Sequence, residues 1–208
     1  SNALSIVVCA LELGLDISLI KEGLAQFAGV ERRFTTVGEA KGMHFIDDYA
    51  HHPTEIKATL ASAKQVCSQN VIAVVQPHRY SRLADLFKEF TQCFDQADHI
   101  VLTPVYAAGE QPDVLATHHS LAKALKEKGK SVYTVNSQEE LPALLTELGR
   151  PHDMCVFMGA GDITAWCSSV VVKLKGTLSE KSLCQKEEQQ KKNTYSQFDN
   201  KTGKMRDE

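Results

Sequence analysis

The spacing of hydrophobic positions changes repeatedly along this chain, and each change predicts an element. Residues 4–14 carry apolar side chains at helical spacing and stop at Gly14. Asp16 can cap a second short helix, Ile17 to Phe27, with Ile20, Leu24 and Phe27 on one face, and Gly29 ends it. A different pattern starts at Arg33: residues 34–37 and 44–48 read as extended. Pro53 opens a helix whose inner face is Ile56, Leu60 and Ala63. Residues 71–75 form a continuous, valine-rich apolar run, the mark of a parallel strand covered on both faces. An amphipathic helix is predicted over 83–94, a strand over 99–103, a helix over 121–128 stopped by Gly129, and a strand over 132–135. Ser137 is placed to cap a helix through Leu148, with Glu140 at the capping-box position. Residues 154–158 supply the last strand, followed by a glycine turn and a helix over about 162–173.

Strand and helix alternate at least four times, which predicts an α/β fold: a Rossmann-like, open, mostly parallel sheet with helices on both faces. No internal repeat is present. Two leading helices cannot bury their own faces, so residues 4–28 are read as the end of a preceding domain and 29–175 as the main one. Residues 1–3 read as a cloning scar, and a start inside a helix as a piece of a longer protein. Residues 176–208 are rich in Lys, Glu, Gln, Asn and Ser with few apolar anchors, and are expected to form a charged, disordered tail.

Composition narrows the function classes. Of 208 residues, 43% are hydrophobic and 24% charged, and the net charge is −3. That is an ordinary globular balance, with no strong field to recruit nucleic acid or an anionic membrane. No apolar run reaches the roughly 18–20 residues a bilayer demands, and residues 4–13 contain Glu12 and lack a basic flank, unlike a secretory signal. Cys9, Cys67, Cys93, Cys155, Cys167 and Cys184 include no CxxC pair. They read as small buried apolar side chains in a reducing cytoplasm.

The polar motifs fall at strand ends. Residues 47–53 (DDYAHHP), 76–82 (QPHRYSR), 104–110 (PVYAAGE) and 159–162 (GAGD) each follow a predicted strand. Ligands in open α/β sheets bind outside the carboxyl ends of the strands, so four such loops define one functional rim. Asp48 can accept hydrogen bonds from a ribose diol, or serve only as a turn aspartate. His51 and His52 suit polar recognition of substrate, or a plain helix start; no second ligand cluster has metal spacing. Arg79 and Arg82 can aim two guanidinium forks at one carboxylate or phosphate beside a helix N-terminus, or be an exposed pair. The glycines at 159 and 161 can serve close packing. No GxxxxGK[ST] phosphate cradle occurs in the chain: residues 129–131 match its last three positions, but Ala124 stands where the first glycine belongs.

Taken together, Arg32-Arg33-Phe34, DDYAHHPTEI (47–56), QPHRYSR (76–82) and GAGDI (159–163) resemble the third domain of the Mur ligases, in the branch that joins L-alanine to UDP-N-acetylmuramate. The resemblance runs from about residue 29 to 174, and residues 4–28 look like the end of the family's central ATPase domain. The QPHRYSR run sets it apart from the tripeptide-recycling branch, which shares a similar DD[YF]AHHP motif; a stand-alone nucleotide- or anion-binding module is the other alternative. The resemblance implies a domain that closes over ATP, L-alanine and UDP-N-acetylmuramate, with the P-loop and most of the Mg2+ site on the missing central domain, and a fragment inactive by itself. It also implies roles. Asp48 would hold the ATP ribose and Arg33 would approach the phosphates. Tyr49, His51, Arg79 and Arg82 would line the L-alanine site. Asp47, His52 and Gly161 lie in the same motifs without an assigned role, and no catalytic residue or metal ligand is implied for this segment.

Overall fold

The computed structural model describes residues 2–27 and 30–176. The chain divides into two compact units, Ser1–Arg33 and Phe34–Glu208. The expected charged tail, residues 176–208, lies outside the described residues from 177 onward, as does Cys184, while residue 176 ends a helix.

The first unit is a pair of helices, α1 (Asn2–Glu12) and α2 (Ile17–Gln26). Gly14, with φ +73°, makes the turn between them, and the Asp16 carboxylate caps α2 by accepting from the Ser18 amide at 2.7 Å. No residue of α2 is buried. Leu15, Leu19, Leu24 and Phe27 line an open apolar groove of about 610 Å³, as expected of two helices too few to enclose a core.

The second unit is a six-stranded sheet in the order β1-β2-β6-β3-β4-β5. Its strands are β1 (Thr35–Ala40), β2 (Met43–Asp48), β3 (Val71–Val75), β4 (His99–Leu102), β5 (Val132–Thr134) and β6 (Met154–Met158). Only β1, joined to β2 by a tight turn at Lys41-Gly42, is antiparallel; the other four pairings are parallel. The helices are α3 (Pro53–Val66), α4 (Tyr80–Asp85), α5 (Phe87–Phe90), α6 (His118–Glu127), α7 (Leu141–Leu148) and α8 (163–176). Successive strand side chains point to opposite faces, and the core divides accordingly. Val71, Ala73, Val75, Met154, Val156 and Met158 pack with Ile56 and Leu60 of α3, Leu83 of α4 and Leu121 of α6. Ile72, Val74, Cys155 and Phe157 pack on the other face with Leu141 and Leu145 of α7 and Ile163, Cys167 and Val170 of α8. Both faces are therefore covered, which is why β3 and β6 read as unbroken apolar runs.

Three local expectations are corrected. The helix over 83–94 is two short ones, broken where Leu86 leaves helical geometry at φ −110°, ψ 23°. The Ser137 cap is absent: α7 starts after Glu140 without a side-chain cap, and the Glu140 carboxylate instead accepts from the Asn136 amide at 3.1 Å. Helix α6 starts earlier than the apolar pattern indicates, because Thr117 and Ser120 form a reciprocal capping box there. Of the cysteines, Cys93, Cys155 and Cys167 are buried as read, with burial pushing the Cys93 and Cys167 thiols up to about 12, whereas Cys9 is exposed. No helix among the described residues is long and apolar enough to cross a membrane.

Leu60 is fully buried between α3 and the sheet, whereas Val66, on the same helix, is 67% exposed. Leu60→Ala is expected to lower unfolding free energy by about 2–5 kcal/mol, and Val66→Ala by no more than about 0.5 kcal/mol. Urea unfolding monitored by circular dichroism would show the difference, and equal losses would contradict this placement of α3.

Candidate functional site

Sheet register sets the site. Asp48 lies opposite Met158, Met158 opposite Val75, and Val75 opposite Leu102, so four adjacent parallel strands end level with one another. The loops that leave them start side by side at one edge.

The loop after β2 is shaped by its aspartates. Alternation along the strand turns them to opposite faces. Asp47 accepts from the Thr164 hydroxyl of α8 at 3.1 Å. Asp48 accepts from the Ala50 amide at 2.8 Å and the Thr59 hydroxyl at 3.2 Å on Oδ1, and from the Phe34 amide at 2.8 Å on Oδ2. The turn aspartate of the sequence reading is thus present. A carboxylate has about four lone-pair positions, so these bonds leave Asp48 one, on Oδ2, for a hydroxyl. His52 caps α3: its Nδ1 accepts from the Thr54 amide at 3.3 Å, while the Glu55 carboxylate accepts from the His52 amide at 3.2 Å. His51 turns the other way. Its ring meets Tyr49 edge-on at 5.2 Å between centroids and lies 5.8 Å from the ring of His78.

The loop after β3 carries the arginines. Arg79 adopts φ +72°, uncommon for a residue with a side chain. It is held there by pairing with the next loop: the Arg79 amide donates to the Tyr106 carbonyl and the Tyr106 amide to the Pro77 carbonyl, both at 2.8 Å. One turn on, Arg82 places Nη1 at 3.2 Å from both the His78 carbonyl and His78 Nδ1. A guanidinium only donates, so Nδ1 accepts and the ring proton is assigned to Nε2. Burial first, then the charges of Arg82, His51 and Arg79, hold the His78 pKa below the ordinary 6.5; Glu110 opposes them.

The two arginines have different partners. Arg79 lies 3.8 Å from the Glu110 carboxylate. That carboxylate also accepts from the Ser81 amide at 3.0 Å and the Ser81 hydroxyl at 2.6 Å, and these bonds, the hydroxyl first, lower its pKa. The anion expected at this helix start is therefore supplied, at Ser81, by the chain itself.

Gly161 closes the rim. A Cβ there would stand 2.5 Å from Gln76 Oε1 and 2.5 Å from Tyr106 Cγ, so the glycine is required by close packing. Gln76, buried, donates from Nε2 to Asp162 at 2.7 Å.

The structure thus brings His51 and Arg82 to His78, with Tyr49 packed on His51 and Arg79 next to His78 in the same loop. It commits His52 to a helix cap and Asp47 to an interlayer bond. Arg33 ends the first unit and is described with it. His78, Tyr106, Glu110 and Gln76 are the members that sequence reasoning did not single out. Their signal was present, since all four lie in the strand-end motifs, but the contacts that give them work cross 29 or more residues in two cases, Ser81 to Glu110 and Gln76 to Asp162.

Comparison with known proteins fits this geometry. The family model described as Mur ligase, glutamate ligase domain, matches residues 32–161. UDP-N-acetylmuramate–L-alanine ligases from Rhodospirillum rubrum and Agrobacterium fabrum are each 47% identical, over 84% and 88% of this chain. The chain spans only 36% and 39% of their lengths. The crystal structure of UDP-N-acetylmuramate-alanine ligase from Thermotoga maritima is 30% identical with a TM-score of 0.68, over 85% of this chain and 37% of that one. A murein peptide ligase from Psychrobacter arcticus shares the fold at 22% identity and a TM-score of 0.59, over 84% and 36%.

The lowered His78 pKa has a stability consequence. Well above pH 6.5 both folded and unfolded chains hold this histidine neutral; as pH falls through that value the unfolded chain takes up the proton first, so the folded state loses stability. His118, lowered by burial and then by His119, acts in the same direction. The urea midpoint is expected to fall on acidification from about pH 7 to 5, and His78→Gln to flatten that fall without abolishing it. An unaltered slope would show that His78 is not held neutral.

Proposed function

Because the chain belongs to the Mur ligase family, we propose that it is the carboxyl-terminal domain of an ATP-dependent ligase that joins L-alanine to UDP-N-acetylmuramate. The observation that carries the proposal is the meeting of two loops at His78. The ring lies 5.8 Å from His51, which packs on Tyr49, and its Nδ1 accepts from Arg82 at 3.2 Å. Cationic, aromatic and imidazole groups on one rim suit a small zwitterion such as an amino acid.

In the proposed reaction the muramyl carboxylate attacks the γ-phosphorus of ATP, giving an acyl phosphate and ADP. The amine of L-alanine then attacks the acyl carbon and phosphate leaves. Such chemistry depends on positioning and charge neutralisation more than on a protein nucleophile. Arg82 and Arg79 face the alanine carboxylate, with Tyr49 and His51 beside it. Asp48 offers its remaining Oδ2 acceptor to the ribose, and Arg33 approaches the phosphates. Among the described residues no three His, Cys, Asp or Glu side chains group as metal ligands do. The Mg2+ site is assigned mainly to residues outside this chain. The missing P-loop likewise leaves phosphate cradling to the rest of the protein, and a need for ATP is in keeping with a cytoplasmic reaction. The QPHRYSR loop and the 47% identity to alanine-adding relatives favour this reading over tripeptide recycling.

Phosphate release is the test. This chain alone is expected to release none from ATP, and the full-length protein to do so only with both L-alanine and UDP-N-acetylmuramate present. In that protein Arg82→Ala is expected to raise KM for L-alanine about tenfold or more, with KM for ATP little changed. Equal losses for both substrates would contradict the arginine's role, and a tripeptide outcompeting alanine would contradict the substrate.

A further inference from the structure

The segment Tyr106–Glu110 stands out because three separate contacts tie it to the arginine loop. Its backbone extends the β3–β4 pairing past the strands, with His78 opposite Tyr106 in a parallel bridge. The Tyr106 ring stacks on the His78 imidazole, 5.4 Å between centroids and 13° between planes. The Glu110 carboxylate holds Ser81 and pairs with Arg79. Behind the tyrosine lies Gly161, where any side chain would collide with the ring at 2.5 Å.

We propose that Tyr106 and Glu110 are positioning residues for the amino-acid site, fixing Arg82 through His78 and Arg79 directly. The inference rests on the ligase reading above and adds to it which groups hold the arginines. Arg82 donates to His78 Nδ1, so its guanidinium is set by the orientation of that ring. The ring is set in turn by the flat face of Tyr106, and the tyrosine by a floor that only glycine permits. Offset stacking of this kind needs the ring and not the hydroxyl. On the other side, the Glu110 carboxylate lies 3.8 Å from the Arg79 guanidinium and occupies the Ser81 donors. Arg79, Arg82 and Glu110 are the charged groups facing His78, with the His51 and Tyr106 rings as its remaining titratable neighbours.

The device is tested by separating ring, hydroxyl and carboxylate. In the full-length ligase, Tyr106→Ala is expected to raise KM for L-alanine about tenfold, because sub-ångström to ångström misplacement of a binding group carries losses of that order. KM for ATP is expected to stay near its starting value, and Tyr106→Phe to rescue the loss. Glu110→Gln is expected to raise the same KM and to shift the His78 titration further downward, since the one negative charge that raises its pKa is removed while the stack survives. Nitrogen-15 NMR of the His78 ring in this 208-residue chain supplies a readout independent of ligase activity. Tyr106→Ala is expected to abolish the fixed Nε2-protonated tautomer, with unchanged circular dichroism showing that the fold persists. A tautomer unaffected by Tyr106→Ala would overturn the proposal whatever the kinetics. A Tyr106→Phe loss as large as that of Tyr106→Ala would overturn it too, by assigning the hydroxyl a direct contact with substrate. Wild-type protein lacking alanine-dependent phosphate release would instead remove the ligase reading and leave the ring tautomer to judge the positioning claim.

Discussion

The candidate site depends on four parallel strands ending at one level. Parallel pairing in the register Asp48–Met158–Val75–Leu102 places the first residue of each following loop beside its neighbour. Sheet hydrogen bonds set that register, and two apolar layers lock it, because a one-residue slip would turn Val74 and Phe157 out of one core and into the other. The chemistry of the rim therefore inherits its precision from the packing of α3 and α6 on one face and α7 and α8 on the other.

Above that level edge, the loops hold one another. Arg79 keeps an unfavourable backbone angle because Tyr106, from the neighbouring strand's loop, accepts its amide hydrogen. Arg82 is held by an imidazole that must be neutral to accept, and burial first, then the surrounding guanidinium charges, lower its pKa. The cations thus add to the burial that disfavours a proton on the group that orients one of them. Glu110 adds the complementary restraint on Arg79. Under the proposed function such a site is largely assembled before substrate arrives, and preorganisation of that sort is how this domain would contribute to rate.

Much of this was legible in the chain itself. Unbroken apolar runs at 71–75 and 154–158 announced strands covered on both faces, and Pro53 with Ile56, Leu60 and Ala63 announced α3 and its buried side. The rim followed from where the polar motifs stop and start. What was not legible has a common physical cause. The break at Leu86 interrupts a stretch whose apolar spacing, Leu83, Leu86, Phe87, Phe90, Phe94, is continuous and contains neither glycine nor proline. Glu140 was available for a capping box but is used by the Asn136 amide instead. The Ser81–Glu110 and His78–Tyr106 contacts arise only because β3 and β4 are neighbours in the sheet, and no local pattern encodes that. Asp48 shows the converse: both readings offered by the sequence are compatible, since three internal bonds shape the turn and one acceptor position is left over.

The central claim is that an amino acid is gripped at the edge of the sheet between the Tyr49–His51 segment and the arginine loop. A crystal structure of the full-length protein with ADP, UDP-N-acetylmuramate and L-alanine tests it most directly. The account requires the alanine carboxylate within hydrogen-bonding distance of the Arg82 guanidinium, with the Tyr49 and His51 rings flanking it and the His78–Tyr106 stack intact. Alanine bound away from that rim, with Arg82 still turned to His78 alone, would contradict it.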